Sequence, residues 1–291
     1  VRRWRLPLVG IALAAALVVG GAHSLQDNVL FHPDATQIKP QADYLSVNEV
    51  VTEDGEKLVA WYSPPEAGCP VFLFFHGNGS RLDRDPWRYQ RIHENGVGLL
   101  ALAWRGYSGS SGKPSEQGFH KDAAAAWSWL MAQGYSSQDV IIHGFSIGTG
   151  PATRLASQVE AGGLILEAPY FSVSDLVRRK ASGVPLDYLL RHPFRSDRDI
   201  PEVSEPVLMV HGAADSVIPA EQSKRLFELA NEPKTYKIFE SSEHNTLVRD
   251  GLYEEAIWPF VEGNWVPRGS NADAPQSTCY LSNPPVSGDT P

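Results

Sequence analysis

The chain reads as an α/β protein, with a mostly parallel central sheet and helices on both faces. Short apolar or β-branched runs alternate with longer segments of helical period, the pattern of strands joined by crossover helices. Runs such as Val71–Phe75 are apolar throughout, as strands buried on both faces require. Residue types that carry chemistry stand just behind these runs, where open α/β sheets place their ligand sites. At 291 residues, the chain can form one large domain of this kind, or two small ones, with a sizeable core.

Arg2, Arg3 and Arg5 precede an almost unbroken apolar run, Leu6–Ala22. Residues 1–22 therefore read as a signal anchor, at the short end of the roughly 17–25 residues that span a bilayer. The basic flank stays cytoplasmic, so the rest of the chain is expected on the non-cytoplasmic side of the membrane. The alternative is a signal peptide cleaved after Ala22, leaving a secreted or periplasmic protein. Residues 23–43 form a polar, proline-punctuated connector.

The domain proper is expected over residues 44–263. Tyr44–Thr52 and Lys57–Tyr62 flank the turn signal Glu53-Asp54-Gly55 and predict a hairpin. Strand Val71–Phe75 follows, then a helix over Leu82–Glu94, and strand Gly98–Ala103 running into the Gly/Ser-rich loop Arg105–Gly112. Phe119–Gln133 carries Ala123, Trp127, Leu130 and Met131 at helical spacing. Val140–Ile142 is a strand, Thr149–Val159 a helix and Leu164–Glu167 a strand. Residues 169–206 lack a strong period and read as a small cap. Strand Val207–His211, helix Ala220–Ala230, strand Thr235–Phe239 and helix Gly251–Glu262 complete the domain. Residues 264–291 are rich in Pro, Ser, Asn and Gly and are expected to be disordered. Within them Val-Pro-Arg-Gly-Ser at 266–270 resembles a thrombin cleavage sequence.

A net charge of −9 leaves no basic face for phosphates, so a nucleic-acid partner is not expected. No cysteine or histidine spacing suggests a metal site, and no cofactor is implied. The two cysteines, Cys69 and Cys279, are not expected to pair, because the tail offers little to hold Cys279 in place.

Residues 144–148 read Gly-Phe-Ser-Ile-Gly directly behind Val140–Ile142. A strand, a turn too tight for large flanking side chains, and a helix together expose a nucleophilic serine, here Ser146. A serine hydroxyl needs a base within hydrogen-bond reach, and the base needs an acid to orient it. Asp215 follows strand Val207–Val210 and His244 follows Thr235–Phe239, in the order Ser, Asp, His. Acyl transfer also needs donors aimed at the developing oxyanion. The Ile147 N–H supplies one, and the loop His76-Gly77-Asn78-Gly79 supplies the other through the Asn78 N–H, with Gly79 as the alternative. Asp175, Asp187 and Asp199 are weaker candidates for the acid because none follows a clear strand. His143 and His211 end strands and read as core or turn residues.

These motifs resemble the α/β-hydrolase superfamily over roughly Tyr44–Glu262. His-Gly-Asn at 76–78, Arg-Gly-Tyr-Ser-Gly-Ser-Ser-Gly at 105–112, Gly-Phe-Ser-Ile-Gly-Thr-Gly at 144–150, His-Gly-x-x-Asp at 211–215 and Glu-His-Asn at 243–245 look like its membrane-anchored branch. That branch is related to depalmitoylases and monoacylglycerol lipases. The resemblance implies the α/β-hydrolase fold, Ser146, Asp215 and His244 as triad, and a small-molecule or lipid-like acyl ester or thioester as substrate. It also implies an N-terminal anchor. Phe145 is bulkier than the polar residue often found before the serine, and the cap is short for a full helical lid. A peptidase of the same fold, or a non-catalytic binding protein, are the competing expectations.

Overall fold

The computed structural model describes residues 26–180, 190–265 and Cys279. Eight strands form one sheet in the order β1-β2-β4-β3-β5-β6-β7-β8. The hairpin β1 (Ser46–Val51) and β2 (Lys57–Ser63) is antiparallel, and β2 runs antiparallel to β4 (Gly98–Leu102). From β4 through β3 (Val71–Phe75), β5 (Val140–Phe145), β6 (Gly163–Glu167), β7 (Val207–Gly212) and β8 (Lys234–Phe239), every neighbouring pair is parallel.

The pleat of these strands sends alternate side chains into two cores. Val71, Leu73 and Phe75 of β3 enter one, with Leu100, Ile142 and Met209; Phe72 and Phe74 enter the other, with Ile141, Leu208 and Trp258. Both faces of the sheet are thus covered, which is why its inner strands could be apolar throughout. Helix α1 (residues 26–30) precedes the sheet, and α2 (Pro86–Glu94), α3 (Glu116–Ala132), α4 (Thr149–Ala156) and α7 (Glu221–Leu229) connect or flank its strands. Two short helices, α5 (Val173–Lys180) and α6 (Ser196–Asp199), lie in the cap stretch. Helix α8 (Trp258–Asn264) ends the domain.

Several boundaries differ from the sequence expectation, each for a physical reason. The expected helix 82–94 is split: Leu82–Arg84 forms a single 3₁₀ turn and α2 restarts at Pro86. Proline lacks an N–H to continue a helix and pushes the preceding residue, Asp85, out of the helical region. Helix α3 starts earlier than expected because Ser115 caps it, accepting from the Gly118 N–H at 3.0 Å. The final helix opens with a wide π turn over Tyr253–Ile257, and regular α geometry begins only at Trp258, Pro259 having no N–H to donate back to residue 255.

Beyond these boundaries, one expected segment gains a fixed place and two expectations need revision. The connector is anchored: Phe31 is 3% exposed and packs edge-on against Phe119 and His192. At the other end Trp265 is buried in the second core, beyond the expected boundary at Gly263. Cys279 forms a disulfide with Cys69, with Cα atoms 5.6 Å apart, so a tail residue is fixed to the start of β3. The apolar run Leu6–Ala22 lies outside the described residues, as do Asp187 and the central part of the cap. Among the described residues no helix is long and apolar enough to cross a membrane.

Candidate active site

Ser146 stands at the turn between β5 and α4 with φ of +53°. That left-handed conformation is strained for a residue with a Cβ, and strain of this kind persists where the surroundings enforce it. They do so here through glycines. A Cβ at Gly148 would lie 2.3 Å from the Phe75 carbonyl oxygen, and one at Gly144 would lie 2.7 Å from the Gly148 oxygen. The helix that follows can therefore pack directly on β3 and β5. The Thr149 hydroxyl donates to the Ser146 carbonyl at 2.6 Å and fixes the first turn.

Asp215 and His244 reach the serine from the ends of β7 and β8. His244 Nε2 lies 2.9 Å from Ser146 Oγ, and its Nδ1 lies 2.6 Å from Asp215 Oδ2. A carboxylate only accepts, so Nδ1 carries the proton and Nε2 offers its lone pair to the serine hydroxyl. Asp215 is itself fixed: its Oδ1 accepts from the Val217 and Ile218 N–H groups, both at 2.8 Å. Burial alone would raise its carboxyl, but hydrogen bonds from His211, His244 and the Ile218 N–H outweigh it and hold the group well below the usual carboxylate range. The aspartate thus stays ionised beside the imidazole. All three side chains are largely buried, each with 7–8% of its residue surface exposed.

His211 is a functional neighbour that the sequence did not reveal. Its Nε2 donates to the Ile218 carbonyl at 2.8 Å and lies 3.2 Å from Asp215 Oδ2. It therefore ties together both ends of the loop that carries the acid. Spacing alone marked it only as a strand end.

The loop after β3 presses against Ser146. A Cβ on Gly77 would stand 3.3 Å from that of Ser146 and 2.9 Å from the Phe145 ring. Asn78 sits beyond it with its side chain fully engaged. Its Oδ1 accepts from the His32 N–H, the Gly79 N–H and the Tyr107 hydroxyl at 2.9–3.0 Å, while Nδ2 donates to Leu30 O at 2.6 Å. The Asn78 N–H has no hydrogen-bond partner among the described residues. The Ile147 N–H lies in the first turn after the serine, where helical donors lack intrahelical acceptors. Tyr170 donates to the Ile147 carbonyl at 3.2 Å and steadies that peptide.

The weaker candidates lie elsewhere. Asp175 is engaged by Arg225 and Gln222, and Asp199 by Arg154. His143 lies in the second core, with Nε2 3.3 Å from Glu167. Phe145 has a definite place: its ring lies 5.3 Å from that of His244 and 5.8 Å from the Arg88 guanidinium. Arg88 in turn makes a two-pronged pair with buried Glu167, at 2.8 and 3.1 Å.

The comparisons with known proteins agree with this architecture. No protein-family model matches the sequence. The chain is 33% identical over 247 residues to an uncharacterized protein of Mycobacterium tuberculosis, covering 82% of this chain and 88% of that one. It is 33% identical over 202 residues to alpha/beta hydrolase domain-containing protein 17B of Xenopus laevis, covering 66% and 68% respectively. Among solved structures it is similar in fold to an esterase of Pyrococcus furiosus, with a TM-score of 0.64 and 19% identity over 81% of this chain and 99% of that one. The chain belongs to the α/β-hydrolase superfamily, and its fold is that of the superfamily.

Proposed function

We propose that the protein is a serine hydrolase that cleaves carboxylic ester or thioester bonds through an acyl-enzyme. The observation that carries this reading is one imidazole bridging Ser146 Oγ at 2.9 Å and Asp215 at 2.6 Å. The esterase among its structural neighbours supports an ester as the substrate.

His244 Nε2 takes the Ser146 proton as Oγ attacks the carbonyl carbon. The resulting oxyanion lies against the N–H groups of Ile147 and Asn78. Asp215 holds the tautomer and stabilises the imidazolium without taking its proton. The imidazolium then protonates the departing alkoxide or thiolate, leaving Ser146 acylated. Water, losing its proton to His244, attacks the acyl carbonyl; collapse returns that proton to Ser146 and frees the acid. The substrate is a small or lipid-like acyl ester, and the N-terminal run Leu6–Ala22 would hold the domain at a membrane surface.

p-Nitrophenyl butyrate tests the reading. The wild-type protein should hydrolyse it, and Ser146→Ala should lose on the order of 10⁶ in kcat. Equal turnover by the two proteins would overturn the assignment.

A further inference from the structure

A cavity of about 630 Å³ opens beside the reaction centre. Its wall includes Phe145 next to the nucleophile, Asn245 next to the base, and Asn78 and Gly79 of the loop after β3. Ser146 and His244 do not themselves line it; their chain neighbours Phe145 and Asn245 connect it to them. In a chain of net charge −9, this wall carries four arginines against two acidic residues.

The arginines are not equivalent. Arg88 is buried, and its two terminal nitrogens are committed to Glu167. That pairing accounts for one of the two acids; the other, Asp85, lies 3.7 Å from Arg88 Nε. Arg91 pairs with Glu254 and Arg249 with its neighbour Asp250, both near the surface. Arg84 differs from all of them. It has no carboxylate partner among the described residues and donates one hydrogen bond, from Nη1 to the Gly79 carbonyl at 3.2 Å. That single bond anchors the guanidinium beside the oxyanion loop and leaves most of its planar fork of donors unused. Such a fork matches the paired oxygens of a phosphate or carboxylate. Trp87, which is 57% exposed, and Val248 add apolar surface to the same cavity.

We propose that this cavity receives an anionic group, a phosphate or a carboxylate, carried by the ester substrate, with Arg84 as its specificity-determining contact. The proposal rests on the ester-hydrolase reading above and narrows its substrate class. Arg91 and Arg249 supply further positive charge on the same wall, and Trp87 packs against the apolar part of the ester.

Three butyryl esters test it: those of glycerol, glycerol 3-phosphate and glycerate. The wild-type protein should favour one or both anionic esters over the glycerol ester by about tenfold in kcat/KM, mostly through KM. Which anion is preferred distinguishes phosphate from carboxylate. Arg84→Gln should bring that ratio close to one, and Arg84→Lys should restore part of it. Using a ratio removes any general effect on the oxyanion loop. Binding of the same esters to the Ser146→Ala protein, measured by calorimetry, separates the two readings. Tighter binding of an anionic ester that Arg84→Gln abolishes supports the subsite even if no ester is turned over. Equal binding and turnover of all three esters, or a preference that survives in Arg84→Gln, overturns it.

Discussion

Single residues carry the chemistry, and their settings determine how each responds to substitution or pH. His76 is fully buried at the start of the loop after β3, with Nδ1 2.8 Å from the Gly77 carbonyl. Burial lowers its pKa from 6.5 to about 4, against the opposing effect of that hydrogen bond. Between these values the unfolded chain binds a proton that the folded chain refuses. Its contribution to stability is therefore fully present above pH 6.5 and declines as pH falls toward 4, by about 3 kcal/mol in total. In urea unfolding, the advantage of wild type over His76→Asn should shrink between pH 7.5 and pH 5. An advantage that is the same at both pH values would contradict the buried, neutral imidazole. Asp215 is held in its charged form rather than its neutral one, though its folded-state pKa is likewise lowered. Asp215→Asn, which favours the wrong tautomer of His244, should cost about 10⁴ in kcat toward an ester, with little change in KM. A loss confined to KM would show that Asp215 does not orient the base.

At the level of elements, the strand ends position the site and a buried ion pair braces it from behind. Arg88 on α2 pairs with Glu167 at the end of β6, and its guanidinium lies 4.7 Å from the Phe74 ring. Arg88→Met would leave Glu167 buried without its partner and should destabilise the fold by about 3–5 kcal/mol. Arg88→Met combined with Glu167→Leu should recover much of that loss, read from the shift of the denaturation midpoint. Equal losses in the single and double variants would refute the pairing. Much of this scale was legible in the sequence. Ser146 and Asp215 stand behind strands that apolar runs announce, His244 behind the β-prone Thr235–Phe239, and the glycines flanking Ser146 mark the tight turn. The ties that fix those loops were not legible. Asn78 holds residues 30 and 32 by side-chain bonds across more than 45 positions, and His211 supports Asp215 through a turn. Local periodicity carries no record of such contacts, because they depend on where the chain returns in space. The split at Pro86 has a legible cause, since proline cannot donate within a helix and displaces the residue before it.

For the whole molecule, the ends of the described chain are fastened to the body that carries the site. Phe31 inserts into one core and Trp265 into the other. The Cys69–Cys279 disulfide closes 210 residues of chain. In a chain-entropy account a loop of this length contributes up to about 5 kcal/mol. Cys279→Ser should therefore unfold at lower denaturant, and thrombin cleavage after Arg268 should release the tail only once reductant is added. Release without reductant would contradict the pairing. The first of these attachments reaches the candidate site, because Asn78 of the loop after β3 holds residues 30 and 32 beside Phe31. The central claim remains that Ser146 is a nucleophile activated by His244 and Asp215. Intact mass measurement after treatment with a fluorophosphonate tests it most directly. One adduct should form, mapping to Ser146 and absent from Ser146→Ala, and it should form far more slowly in His244→Ala. Modification at another residue, or none on the folded wild-type protein, would contradict it.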